Sequence, residues 1–176
     1  MKKIDAPRKT LRVTAPAASA LTGRFNDAFY GDCFARHLTG TPYPTALAAY
    51  QAMSANAPRW VNGLLLFRDR VVAPFGMTPT HGFSARQSQA EPLECGDALD
   101  FFTIAALDAN ELQLHIRDHD FTVSISVYLH HEDKRQSLYV TSLVDTHTRL
   151  GSVYVSVIAP FHRLVVKSMM NRLDDT

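Results

Sequence analysis

"SVYVSVIAPFHRLVVKSMMNRL", residues 152–173, is the longest apolar stretch of the chain, and its reading decides the fold. It is long enough to cross a bilayer. His162, Arg163 and Lys167 nevertheless stand in its middle, and Pro160 interrupts it. Each central charge costs about 2.5–3.5 kcal/mol in hydrocarbon, so a membrane span is a poor reading. Placed at helical spacing, Val153, Val157, Phe161, Leu164, Val165 and Met169 spread over one broad side, and Ser156, Arg163 and Lys167 cluster on the other. That pattern predicts an amphipathic helix lying across a sheet. Pro160 cannot donate to the Ser156 carbonyl, which places a kink or a late helix start there. The alternating "SVYVSV" also fits a strand before a helix that starts at Pro160. The continuous helix is the preferred reading.

The sheet is sought just upstream. Residues 98–107, 111–117, 121–131 and 137–148 are apolar runs separated by the short polar turns "DAN", "DHD" and "EDKRQ". In 121–129, Phe121, Val123, Ile125, Val127 and Leu129 alternate with Thr122, Ser124, Ser126 and Tyr128, the pattern of a strand with one buried face. Short turns make the runs consecutive antiparallel neighbours, a β-meander. Residues 83–93 offer a further strand. Earlier, "DCFARHL" (32–38) is a first strand, ended by "TGTPYP". An Ala-rich helix follows over 45–55. A second helix, with Asn56 as N-cap and Pro58 in its first turn, runs to about Ala73. Its Trp60, Leu64, Phe67 and Val71 share one face, and "PFGMTPTHG" (74–82) is a breaker-rich loop.

This order predicts an α+β fold of helix-grip type: a curved antiparallel β-meander wrapped around a long C-terminal helix, with two helices inserted after the first strand. Residues 1–24 are expected to be a flexible N-terminal segment and 25–176 a single domain. The chain has 176 residues, 46% apolar and 20% charged, the composition of a globular domain with a sizeable core. A net charge of +1 provides no field for nucleic acid. Lys2, Lys3, Arg8 and Lys9 are not followed by an apolar run, so the start does not read as a secretory signal and a cytoplasmic location is expected. Two distant cysteines, Cys33 and Cys95, offer neither a zinc site nor a CxxC pair.

"PRWVNGLLLFRDRVVAPFGM" (58–77), "GDALDFF" (96–102) and "LGSVYVSVIAPFHRLVVKSM" (150–169) resemble the domain of unknown function 2867 family, over roughly residues 25–173. The block "PFHRLVV" (160–166) is the most specific part. In "GDALDFF" the chain is more apolar than the family pattern, which carries a His and an Arg near Ala98 and Phe102. The resemblance implies the SRPBCC superfamily, which includes START domains and polyketide cyclases, and with it the helix-grip fold. Members also occur attached to nucleotide-binding oxidoreductase domains. No GxGxxG or Walker pattern occurs in this chain, and no cofactor is expected.

Eight histidines invite a metal reading. The clusters "IRDHDF" and "LHHEDK" flank the strand 121–130, however, and lie roughly 30 Å apart at about 3.3 Å per residue. Solvated turns are the better reading, and no metal site is expected. No GxSxG elbow is present. His162, inside the apolar arc, is either a satisfied structural histidine or an acid–base group at a cavity wall. Arg68, beside the apolar face of the second helix, requires a carboxylate partner, with Asp97, Asp100 and Asp145 as candidates, or else holds a ligand carboxylate. The expected function is binding of a small apolar or amphipathic molecule between sheet and C-terminal helix. The candidate lining is Trp60, Arg68, Phe161, His162, Leu164, Val165 and Met169. A cyclase- or isomerase-type enzyme and a non-catalytic interaction module partnering an oxidoreductase are the alternatives. Convergent polar groups in the cavity would favour the enzyme.

Overall fold

The computed structural model describes residues 9–75, 79–80, 83, 92–132 and 135–173. Among the described residues, seven strands form one antiparallel sheet in the order β1-β2-β7-β6-β5-β4-β3. They are β1 (Leu11–Arg12), β2 (Tyr30–Leu38), β3 (Ala98–Leu99), β4 (Phe102–Leu107), β5 (Glu111–Arg117), β6 (Phe121–Glu132) and β7 (Arg135–Thr146). The helices α1 (Ala46–Ala55) and α2 (Arg59–Val72) lie between β2 and β3, and α3 (Arg149–Met170) closes the chain. The expected α+β meander with two inserted helices and a C-terminal helix is therefore present.

Two details differ from the sequence reading. The run 98–107 is two strands, because Asp100 adopts a positive φ of 54° and turns the chain between β3 and β4. Asn56 is the C-cap of α1, and α2 starts after Pro58 without a side-chain cap. The strand expected over 83–93 lies mostly outside the described residues, and Phe83, Pro92 and Leu93 are not in a strand. The lead segment, expected to be flexible, is described from Lys9. Leu11 and Arg12 pair with β2, and Ala15 and Leu21 are buried.

Alternation along the strands gives the sheet two faces. Phe34, Leu112, Leu114, Val127, Leu129, Leu138 and Val140 build the main core with Tyr50 and Met53 of α1 and with Val166, Met169 and Met170 of α3. On the opposite face Cys33, Ala35 and Tyr139 pack with Ala15 of the N-terminal segment. Glu111 is buried on that second face. Its carboxylate accepts from Ser19 Oγ at 2.9 Å, Ser126 Oγ at 2.5 Å and the Ala20 amide at 3.1 Å, which ties residues 19–20 to β5 and β6.

Both ends of α3 are held by the sheet. Thr148 Oγ1 accepts from the Gly151 amide at 3.0 Å and donates to Asp120 Oδ1. At the other end, where helix carbonyls lack partners, Arg36 of β2 donates to the Met170 carbonyl at 3.2 Å and to Asn171 Oδ1 at 3.0 Å. These anchors, with Val155, Ala159 and Val166 buried, keep the helix continuous through Pro160. The face that packs overlaps the expected arc in part. Met169 is buried and Val165 packs against the main core, but Val153, Val157, Phe161 and Leu164 are exposed, whereas Gly151, Val155, Ala159 and Met170 are buried. The small residues among these let the helix lie close to the sheet.

Cys33 is buried, and Thr141 Oγ1 donates to its sulfur at 3.3 Å. Burial pushes its thiol from 9.0 up to about 11, and the hydrogen bond from Thr141 acts in the opposite direction. A folded-state pKa above the unfolded one contributes stability that is complete below pH 9 and is lost as pH rises through about 11. This amounts to about 2–3 kcal/mol. In urea melts Cys33→Ala is expected to flatten the decline of stability between pH 9 and 11; an unchanged slope would overturn the assignment. Thiol reagents should modify exposed Cys95 in the native protein and Cys33 only on unfolding.

Candidate ligand cavity

Beside the main core, α2 and α3 stand over β6, β7 and β2 and leave a partly open cavity of about 460 Å³ between them. Its floor is Phe121, Val123 and Val144. Leu64, Phe67, Arg68 and Val71 of α2 form one wall, and Val157, Ile158, Phe161, His162 and Val165 of α3 the other. Phe67, Val71, Val157 and Phe161 retain 66%, 51%, 59% and 46% exposure. Four apolar side chains thus border one shared space without being covered, where a well-packed interior would have closed. The volume lies within the range of small-molecule sites.

Two polar groups of residues border this apolar space. At the first, Arg68 Nε donates to Tyr154 Oη at 2.7 Å, and the guanidinium lies 5.4 Å from the Tyr154 ring centroid. Arg68 Nη1 meets Asp69 Oδ1 at 2.9 Å, and Asp69 also accepts from the Thr80 amide and hydroxyl. Among the described residues the carboxylate that pairs with Arg68 is its chain neighbour Asp69, and not Asp97, Asp100 or Asp145. Burial opposes the charge of Arg68, but its bonds to Tyr154 and Asp69 outweigh that and raise its pKa. Tyr154 in turn stacks on Phe121 with centroids 5.3 Å apart.

The second group lies where β2, β7 and α3 meet. Asp32 and Ser142 are direct partners in the β2–β7 register, so their side chains share a face, and α3 brings His162 over them. Its Nε2 is 3.1 Å from Ser142 Oγ and 3.6 Å from Asp32 Oδ1. Asp32 is fully buried, and its Oδ1 has no hydrogen-bond partner among the described residues. The Tyr30 hydroxyl donates to Asp32 Oδ2 and accepts from Arg163 Nε at 3.1 Å. Burial, then the hydrogen bond to Asp32, push the Tyr30 hydroxyl from 10.0 up to about 12. Arg163 Nε lies 3.9 Å from Asp32 Oδ2.

Of the seven residues singled out from the sequence, Arg68, Phe161, His162 and Val165 line the cavity. Trp60 is exposed away from it, Leu164 is exposed on the outer side of α3, and Met169 belongs to the main core. Asp32, Tyr30 and Ser142 were not anticipated. A lone Asp opening a strand looks solvated, and only the strand register reveals its partners. The metal-like clusters fall at opposite ends of β6, with His119 in the β5–β6 turn and His130 and His131 at the far end.

The arrangement defines an α+β domain in which a C-terminal helix and a neighbouring helix hold an apolar cavity over an antiparallel sheet. By sequence, residues 24–169 match the family described as Protein of unknown function (DUF2867), and the chain belongs to that family. No curated protein and no solved structure matches it.

Proposed function

We propose that this domain binds a small apolar or amphipathic molecule in the cavity between α2, α3 and the sheet, in the manner of a helix-grip domain of the SRPBCC type. The carrying observation is the uncovered apolar surface of Phe67, Val71, Val157 and Phe161 around one space of about 460 Å³. The reading makes α3 a cavity wall rather than a membrane span. That helix is long and apolar enough to cross a bilayer by length and composition, but Val155, Ala159, Val166 and Met170 are buried on its inner side. A cytoplasmic location, without a nucleic-acid partner, accompanies the proposal. An enzyme of the cyclase or isomerase type is the second reading, favoured by the meeting of Asp32, Ser142 and His162 at the cavity.

The test is a thermal-shift series with apolar probes, among them naphthalene and 1-dodecanol. A ligand at about a hundred times its Kd adds about 2.7 kcal/mol, which is about 5–10 °C for a domain of this size. Val157→Arg places a charge at the cavity wall and should abolish the shift, because a charge in apolar space is costly. Both Val157 and Leu164 are exposed, so neither substitution should change the ligand-free melt by more than about 0.5 kcal/mol. Leu164→Arg, outside the cavity, should keep the shift. Absence of any shift in the wild-type protein, or equal loss in both variants, overturns the reading.

A further inference from the structure

The geometry points to a built polar subsite in the cavity: His162, oriented by buried Asp32, accepts a hydrogen bond from a neutral hydroxyl on an otherwise apolar ligand. This inference rests on the cavity reading and adds the chemistry of the ligand's polar group.

The argument starts from Asp32. An ionised carboxylate only accepts hydrogen bonds, and a fully buried one left unanswered is costly. Its Oδ2 receives the Tyr30 hydroxyl, while Oδ1 has no hydrogen-bond partner among the described residues and faces His162 Nε2 at 3.6 Å. If Nε2 carried a lone pair, two acceptors would face each other. With the proton on Nε2, the same nitrogen donates to Ser142 Oγ at 3.1 Å and directs positive charge at Oδ1. In the neutral form of the ring, the form the proposal assigns, the lone pair is then on Nδ1, which has no hydrogen-bond partner among the described residues. His162 lines the cavity, with 26% of its side chain exposed, whereas Asp32 is sealed behind it. Asp32 is therefore the positioning residue and His162 the contact.

Charge decides the ligand class. Both arginines near this space already have a carboxylate beside them: Arg68 has Asp69 at 2.9 Å, and Arg163 has Asp32 at 3.9 Å. A ligand carboxylate would enter an apolar space next to a bare Nδ1 lone pair and the buried Asp32 charge. A hydroxyl supplies the donor that Nδ1 lacks. The occupant is thus an uncharged alcohol or phenol with an apolar body rather than a fatty acid.

The experiment compares naphthalene, 2-naphthol and 2-naphthoate at neutral pH by calorimetry and thermal shift. Wild-type protein should bind 2-naphthol roughly tenfold more tightly than naphthalene, the worth of one good hydrogen bond, and should bind 2-naphthoate more weakly than either. His162→Phe should bring 2-naphthol down to the affinity of naphthalene without abolishing naphthalene binding. Nitrogen-resolved NMR should show His162 as the Nε2–H tautomer in the wild type. In Asp32→Asn the amide can donate to Nε2, so the proton should move to Nδ1 and the naphthol preference should disappear. If Asp32→Asn does not fold by circular dichroism, the wild-type tautomer and the His162→Phe comparison decide. Equal binding of naphthol and naphthalene by the wild type, or an Nδ1–H tautomer there, overturns the subsite and leaves the cavity standing. Failure of all three compounds to bind overturns the cavity reading itself.

Discussion

Gly151→Ala is expected to destabilise the protein by about 3 kcal/mol or more, the upper range for overpacking a close contact, and to lower its melting temperature by about 6–12 °C. A β-carbon at Gly151 would lie 2.2 Å from the Asp120 carbonyl oxygen and 2.9 Å from its carbon. The obstacle is backbone, not a movable side chain. That carbonyl accepts from the His147 amide at 2.8 Å, and the Asp120 carboxylate accepts from Thr148, the N-cap of α3. Relief therefore requires the first turn of the helix to leave the β5–β6 turn. Gly63→Ala, in the exposed middle of α2 with open space around it, is the control and should stabilise by about 0.5–1 kcal/mol through helix propensity. Chemical denaturation of the pair checks both signs, and wild-type stability in Gly151→Ala would show that the contact yields.

Arg68→Met should cost about 3 kcal/mol, the lower end of the roughly 3–5 kcal/mol for removing one member of a buried ion pair. The side chains of Arg68 and Asp69 are only 10% and 12% exposed. The lower end applies because Asp69 keeps its bonds from Thr80 while Tyr154 loses its donor. Arg68→Lys should recover only part of the loss, since an ammonium lacks the planar fork that reaches both Tyr154 and Asp69. An unchanged unfolding midpoint in Arg68→Met would show that Tyr154 and Asp69 find equal partners without it.

The elements that the sequence revealed are those whose pattern is local. The alternation in β6 and the polar turns around it carry the meander, and the length of 152–173 carries α3. What stayed hidden depends on distance between elements. The apolar arc of α3 includes Val157 and Phe161, but helical periodicity cannot distinguish a side chain packed on a sheet from one bordering an unfilled space. The packing face is instead marked by Gly151 and Ala159, whose small size gives a weak hydropathy signal. The position of Arg68 beside an apolar face signals a carboxylate partner, but spacing does not point to its neighbour Asp69, because adjacent residues on a helix do not face each other. Asp32 gives no signal in the sequence because its environment is made by Ser142 and His162, which are remote in the chain.

The pairing of β2 with β7 has a kinetic meaning. Strands β3 to β7 join neighbours through short turns, whereas β2 reaches β7 only after α1, α2 and the whole meander have been made. Closing a long loop costs chain entropy before its contacts repay it. The hairpin β6–β7 already holds Phe121, Val123 and Val144, so the apolar floor of the cavity comes from local structure. Asp32 and Tyr30 arrive only with the long-range strand. In refolding, the local β6–β7 hairpin is thus expected to supply the apolar floor before the long-range strand supplies the polar group. Until β2 has docked, His162 has no carboxylate to hold its proton in place, and the protein has a cavity floor without its polar subsite.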